Sequence, residues 1–183
     1  MAIALLAGTL LALAGFVLTS IQGFIVASHL LEATPAAKLL VTKHVAYAIP
    51  TMLLSLFSQS MVIFFFIGTG RLVKDEVAGL PQDDRRAVLG VLRDLKRRTS
   101  PPATFALLAA IAVFVLGAAA HTKALPSWVH LTAALTAVAM HVWALGAEWS
   151  AFIENGRLMA DPAAFVRRGP VAVTRAEPVR SRS

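Results

Sequence analysis

His130-Leu-Thr-Ala-Ala-Leu-Thr-Ala-Val-Ala-Met-His141-Val-Trp-Ala-Leu-Gly-Ala-Glu148-Trp-Ser-Ala-Phe-Ile-Glu-Asn-Gly-Arg-Leu-Met-Ala-Asp161 is the stretch on which the fold turns. It is an apolar segment, dotted with single polar residues, that closes on Phe-Ile-Glu-Asn-Gly-Arg-Leu. The segment from His44 to Asp75 closes in the same way, on Phe-Ile-Gly-Thr-Gly-Arg-Leu. An offset of 86, with no gap, maps His44 onto His130. It also maps Phe66, Ile67, Gly70, Arg71, Leu72 and Asp75 onto Phe152, Ile153, Gly156, Arg157, Leu158 and Asp161. The spacing predicts an internally duplicated chain.

Composition fixes the class of each copy. Of 183 residues, 57% are hydrophobic and 15% charged, against about 25% charged in an ordinary soluble domain. The charges are gathered into short blocks between apolar runs. Four runs reach the roughly 20 residues that a helix needs to cross a bilayer. The predicted fold is therefore an all-α integral membrane protein with four transmembrane helices in two tandem hairpins. The first hairpin covers residues 1–75, with spans at about 3–30 and 44–69. The second covers residues 101–161, with spans at about 103–120 and 129–153. The first residues lack the basic lead of a signal peptide, so the opening run is taken as a retained span.

The connector at residues 76–100 places Val88, Val91, Leu92 and Leu95 on one helical face. Arg85, Arg86, Arg93, Lys96, Arg97 and Arg98 fill the remainder. This pattern predicts a basic amphipathic helix lying in the membrane interface, ended by Pro101-Pro102. Gly70 and Gly156 stand where a helix C-cap is expected. Pro50 removes one backbone hydrogen bond near the start of the second span. Gly8, Gly15 and Gly23 recur on one side of the first span and suit close helix contact. Residues 162–183, with three prolines and five arginines, read as a disordered basic tail.

The chain carries 17 Lys and Arg against 10 Asp and Glu. Eight of the basic residues lie between the second and third spans, six follow the fourth, and three (Lys38, Lys43 and Lys123) sit in the hairpin loops. This distribution is a topology signal rather than a nucleic-acid footprint. It predicts both termini in the cytoplasm of a bacterial-type inner membrane. With no cysteine, disulfides and thiolate metal sites are excluded. No phosphate loop, dinucleotide fingerprint, zinc-protease motif or nucleophile elbow is present.

What chemistry remains lies in the polar residues of the spans. At about 100° per residue, His130, His141, Glu148 and Asn155 share one stripe. His44, Thr51, Ser55 and Thr69 share the matching stripe, with Ser58 at its margin. Polar groups in lipid are costly and turn inward, so the duplication predicts two stripes facing each other.

His44 and His130, equivalent and near the outer surface, suit ligation of a haem b, or are interfacial residues bonding loop carbonyls or lipid headgroups. Together with His29 and His121 they also suit a Cu, Zn or Fe site. Only the second copy carries His141 and Glu148, which are the candidates for proton exchange. Arg71 and Arg157 anchor the helices at the cytoplasmic interface, or bind an anionic lipid, a quinone headgroup or a haem propionate.

Three functions fit these residues. The first is a cytochrome-like electron-transfer protein with haem between the second and fourth spans. The second is a proton- or metal-ion-translocating protein using the His/Glu seam. The third is a non-catalytic accessory subunit of a membrane complex, docked through the glycine face and the basic helix. Expected partners are the bilayer, a quinone, other membrane subunits and a second copy of the chain.

Overall fold

The computed structural model describes residues 1–29 and 34–167, and it is all-helical there. Four long helices, α1 (Ala2–His29), α2 (Pro35–Glu76), α3 (Gln82–His121) and α4 (Ser127–Ala160), are followed by the short α5 (Pro162–Arg167). Each of the four is long and apolar enough to cross a membrane. Among the described residues there is no strand.

The helices form a ring in chain order. α1 packs on α2 and α4, α3 packs on α2 and α4, and α2 meets α4 only across the central axis. The glycine face of α1 is spent inside this ring. A Cβ on Gly8 would fall 2.7 Å from Ser58 Oγ, and one on Gly15 would fall 2.6 Å from Thr51 Oγ1. At Gly8 and Gly15 that face packs closely against α2.

Two expectations about helix ends are corrected. α2 does not stop at Gly70 and α4 does not stop at Gly156. They continue to Glu76 and Ala160 because Val73 and Leu158 beyond the glycines are fully buried. Gly70 instead admits a neighbour, since a Cβ there would lie 3.3 Å from Lys96 Cε.

The basic amphipathic stretch is not a separate helix lying flat on a membrane. It is the first half of α3, which runs unbroken through Pro101 and Pro102. Val88, Leu92, Leu95, Thr99, Ala103, Ala106 and Ala110 form one continuous buried face. Val88, Leu92 and Leu95 belong to a core with Val73, Val77 and Leu158. Burying such side chains is worth about 1.5–3 kcal/mol each, which outweighs the two backbone hydrogen bonds that the prolines forgo. Pro50 likewise sits within an unbroken α2.

At about 1.5 Å per residue, the 42-residue α2 and 40-residue α3 are about 60 Å long. Both are longer than a bilayer core of about 30 Å, and their basic ends pack together as a small helical knob. α5 adds to this knob, so the segment after Asp161 begins as a helix. Residues 168–183, the remainder of the expected tail, lie outside the described residues.

Candidate functional site

Along the central axis, residues 86 apart in sequence meet. The His44 and His130 rings stand 6.2 Å apart, centre to centre, at 78°. Ser55 Oγ lies 2.7 Å from His141 Nε2. The Phe66 and Phe152 rings stack at 5.3 Å. Thr69 Oγ1 donates to Asn155 Oδ1 at 3.4 Å. The two polar stripes thus face each other and meet at three equivalent positions, whereas Glu148, whose counterpart is Val62, is bonded by Thr9 of α1.

The outer helices obey a second register. Buried Leu5, Thr9, Ala12 and Phe16 of α1 stand 94 positions before buried Thr99, Ala103, Ala106 and Ala110 of α3. Gly23 and Gly117 keep the same offset, each against the histidine of its own hairpin. A Cβ on Gly23 would come 3.3 Å from His44 Cε1, and one on Gly117 2.8 Å from His130 Cε1.

Both histidines are half-buried, and Nδ1 of each is buried without a hydrogen-bond partner. The backbones of Thr19 and Val113 run beside them, too loosely placed for a good hydrogen bond. Both rings line a cavity of about 380 Å³ whose walls also include Phe16, Val113, Phe114, Ala134 and His121. The cavity falls in the size range of cofactor sites and, like most of them, is mainly apolar.

His121 is exposed, and the side chain of His29 lies outside the described part of the structure. Among the described residues no group of three His, Asp or Glu side chains assembles as a metal site. The four-histidine cluster expected for Cu, Zn or Fe is therefore not formed by the described side chains. Two facing imidazoles are what is formed.

His141 is fully buried and fully satisfied. The Ala137 carbonyl, 2.7 Å from Nδ1, can only accept, so Nδ1 carries a proton and Nε2 is free to accept from Ser55. Phe16 covers the ring at 4.5 Å. Glu148 is equally buried, and Thr9 donates to its Oε2 at 3.1 Å, leaving Oε1 unpartnered. Gln59, also fully buried, sits beside this carboxyl without a well-formed hydrogen bond. His141 and Glu148 stand about 10 Å apart along α4, and their hydrogen bonds belong to separate sets.

In the sequence Thr9 is only one of several polar interruptions of the first apolar run, and Gln59 is not a candidate. Gln59 lies one turn from Ser55 on the inner side of α2, which is the signal that points to it.

Arg71 and Arg157 are exposed at the basic end. From His44 to Arg71 is 27 residues of continuous helix, about 40 Å. These arginines cannot touch a group held between His44 and His130. The surroundings of Arg98 differ: it pairs with Asp94 of its own helix at 2.9 Å and with Glu154 of α4.

Fold and site together define an all-helical bundle of four helices long and apolar enough to cross a membrane, with two facing histidines lining a cavity near one end and a buried carboxyl deeper in the bundle. No known protein family, curated protein or solved structure matches the chain.

Proposed function

We propose that the chain is a duplicated helix hairpin that binds one haem b through His44 and His130 and passes electrons within a bacterial inner membrane. The single observation that carries this reading is the 6.2 Å spacing of the two equivalent rings over an apolar cavity. Two imidazoles bound to opposite sides of one metal ion, at about 2.0–2.1 Å per bond, have ring centres roughly 6 Å apart. A bare transition-metal ion would need further protein ligands that the described residues do not supply. A porphyrin brings its own four nitrogens and asks the protein for two.

When bound, haem supplies one-electron redox chemistry. The chain's own residues supply position and environment. A small turn of each ring would let the nearby Thr19 and Val113 carbonyls accept from Nδ1–H and leave Nε2 free for the metal. Gly23 and Gly117 let the rings lie close against α1 and α3. Phe16, Val113 and Phe114 keep water from the cavity. The excess of Lys and Arg at the far end of the bundle favours that end in the cytoplasm, placing the histidines near the outer surface. A quinone at that surface, or a redox subunit beside it, is the expected electron partner. Arg71 and Arg157 fit anionic lipid headgroups on the cytoplasmic side.

The test is an absorption spectrum of the purified chain, oxidised and reduced. The reading expects a Soret band that is lost in His44→Ala and in His130→Ala and kept in His141→Ala, with helicity followed to show that each variant folds. A colourless protein after expression with haem supplied, or a band indifferent to both outer histidines, rejects it.

A further inference from the structure

We propose that Thr9, Gln59 and Glu148 form an occluded site for one alkali cation, with sodium as the fitting size class, midway along the bundle. α1, α2 and α4 contribute one residue each, and all three side chains are fully buried. Glu148 has no cationic partner. Among the described residues no Lys or Arg is buried, and no ion pair reaches this carboxylate. His141, the other buried titratable group, is engaged by Ser55 and Ala137.

An ionised carboxylate in a lipid-enclosed bundle needs a countercharge. The surrounding atoms show which kind. Glu148 Oε1 and both amide atoms of Gln59 lack hydrogen-bond partners, so the amide is free to turn its oxygen toward the carboxylate, Glu148 Oε2 is held by the Thr9 hydroxyl, and the Thr9 oxygen keeps lone pairs to offer. These four oxygens are hard ligands, suited to a hard cation rather than to a soft transition metal. The charge count selects a monovalent ion: one carboxylate cancels one positive charge, and a divalent ion would leave an excess charge in a low-dielectric interior. A proton on Glu148 would engage Oε1 and one neighbouring atom, whereas an alkali ion draws on all four oxygens together.

The site is closed at both ends. Toward the basic end stands the Phe66–Phe152 stack at 5.3 Å, backed by Phe65. Toward the histidine end the Ser55–His141 pair spans the axis with Phe16 against the imidazole. A cation held between these layers exchanges slowly and contributes to the stability of the bundle. The site stands apart from the His44–His130 cavity and does not depend on haem.

The experiment uses the full chain purified in detergent in choline chloride, then titrated with sodium, potassium or lithium chloride at constant ionic strength. Binding of ²²Na⁺ is measured at equilibrium and the melting temperature is followed alongside. The expected result is saturable binding of one sodium per chain. A rise of several degrees in melting temperature should follow at about a hundredfold excess over the dissociation constant. Glu148→Gln should abolish both responses while keeping the fold, because the amide is neutral and of the same shape. Thr9→Val should weaken binding by about tenfold or more.

Absence of saturable binding overturns the proposal. So does an equal sodium response in Glu148→Gln, or a protein stabilised by acidification and indifferent to all three cations, which would assign the carboxyl to a proton. The Soret absorbance of the same samples reports on the haem proposal separately, so either can fail alone.

Discussion

Ser55 and His141 occupy the same position in the two hairpins and are hydrogen-bonded to each other, Oγ to Nε2 at 2.7 Å. A contact between equivalent positions is what a two-fold relation requires on its axis. Here the axis carries a different residue from each copy. The surroundings differ in step: Phe16 covers the His141 ring, while Ala110, the buried residue in the matching place on α3, is small.

That difference predicts that the pair can be exchanged. Ser55→Ala leaves Nε2 of a fully buried imidazole without a partner and should cost about 1–3 kcal/mol. His141→Ser removes a ring from a filled space and should cost at least as much. The double variant Ser55→His/His141→Ser restores a hydroxyl–imidazole contact, with room for the ring on the Ala110 side. It should recover half or more of the summed loss. Chemical unfolding of the three variants in detergent checks this, and a double variant no better than the sum of the singles contradicts it.

Gly117 and Gly23 give a graded prediction. A Cβ at position 117 would lie 2.8 Å from His130 Cε1, nearer than real contacts allow, while one at position 23 would lie 3.3 Å from His44 Cε1. Gly117→Ala must therefore displace the His130 ring, and Gly23→Ala asks His44 for a shift of a few tenths of an ångström. Haem content per chain, read from the Soret band, should fall in Gly117→Ala and stay near the wild-type level in Gly23→Ala. Gly146→Ala, with nothing within 4 Å, is the control.

The α2 and α4 stripes and their pairing were legible in sequence because the two copies end on the same residues and align without a gap. The α1 and α3 register was not. Leu5, Thr9 and Phe16 correspond to Thr99, Ala103 and Ala110, so side-chain identity is lost. From Gly23 to His44 is 21 positions and from Gly117 to His130 is 13, and these eight extra positions shift the offset from 86 to 94. Pro101-Pro102 reads as a break because local propensity alone carries no trace of the buried face that passes through Pro102. Thr9 was visible only as a polar interruption of an apolar run, since nothing in α1 alone says that a carboxylate of α4 will face it.

Arg98 links α3 to α4 through Glu154 while also holding Asp94. The arginine is 40% exposed and the glutamate 31%, so water and salt screen the pair. Glu154→Ala should lower stability by no more than about 1 kcal/mol. The loss should shrink between 50 mM and 1 M choline chloride, as roughly a Debye length of 3 Å at the higher strength requires. Unfolding curves at the two ionic strengths measure it.

The Phe66–Phe152 stack should behave as one unit. Both rings are nearly fully buried, and each also meets Phe65, at 5.4 and 5.1 Å. Phe66→Ala and Phe152→Ala should each cost about 3–5 kcal/mol, since each opens a ring-sized cavity in a packed layer. Their effects should not add. The second truncation removes a ring whose stacking partner is already gone, so the double variant should be more stable than the sum by about 0.5–1.5 kcal/mol. The layer also separates Glu148 from the basic end of the bundle. Opening it should therefore speed exchange of whatever neutralises that carboxylate, seen as faster ²²Na⁺ release from preloaded protein in Phe152→Ala than in wild type. Additive destabilisation with an unchanged release rate would show that the two rings are independent packing residues and that the site is closed elsewhere.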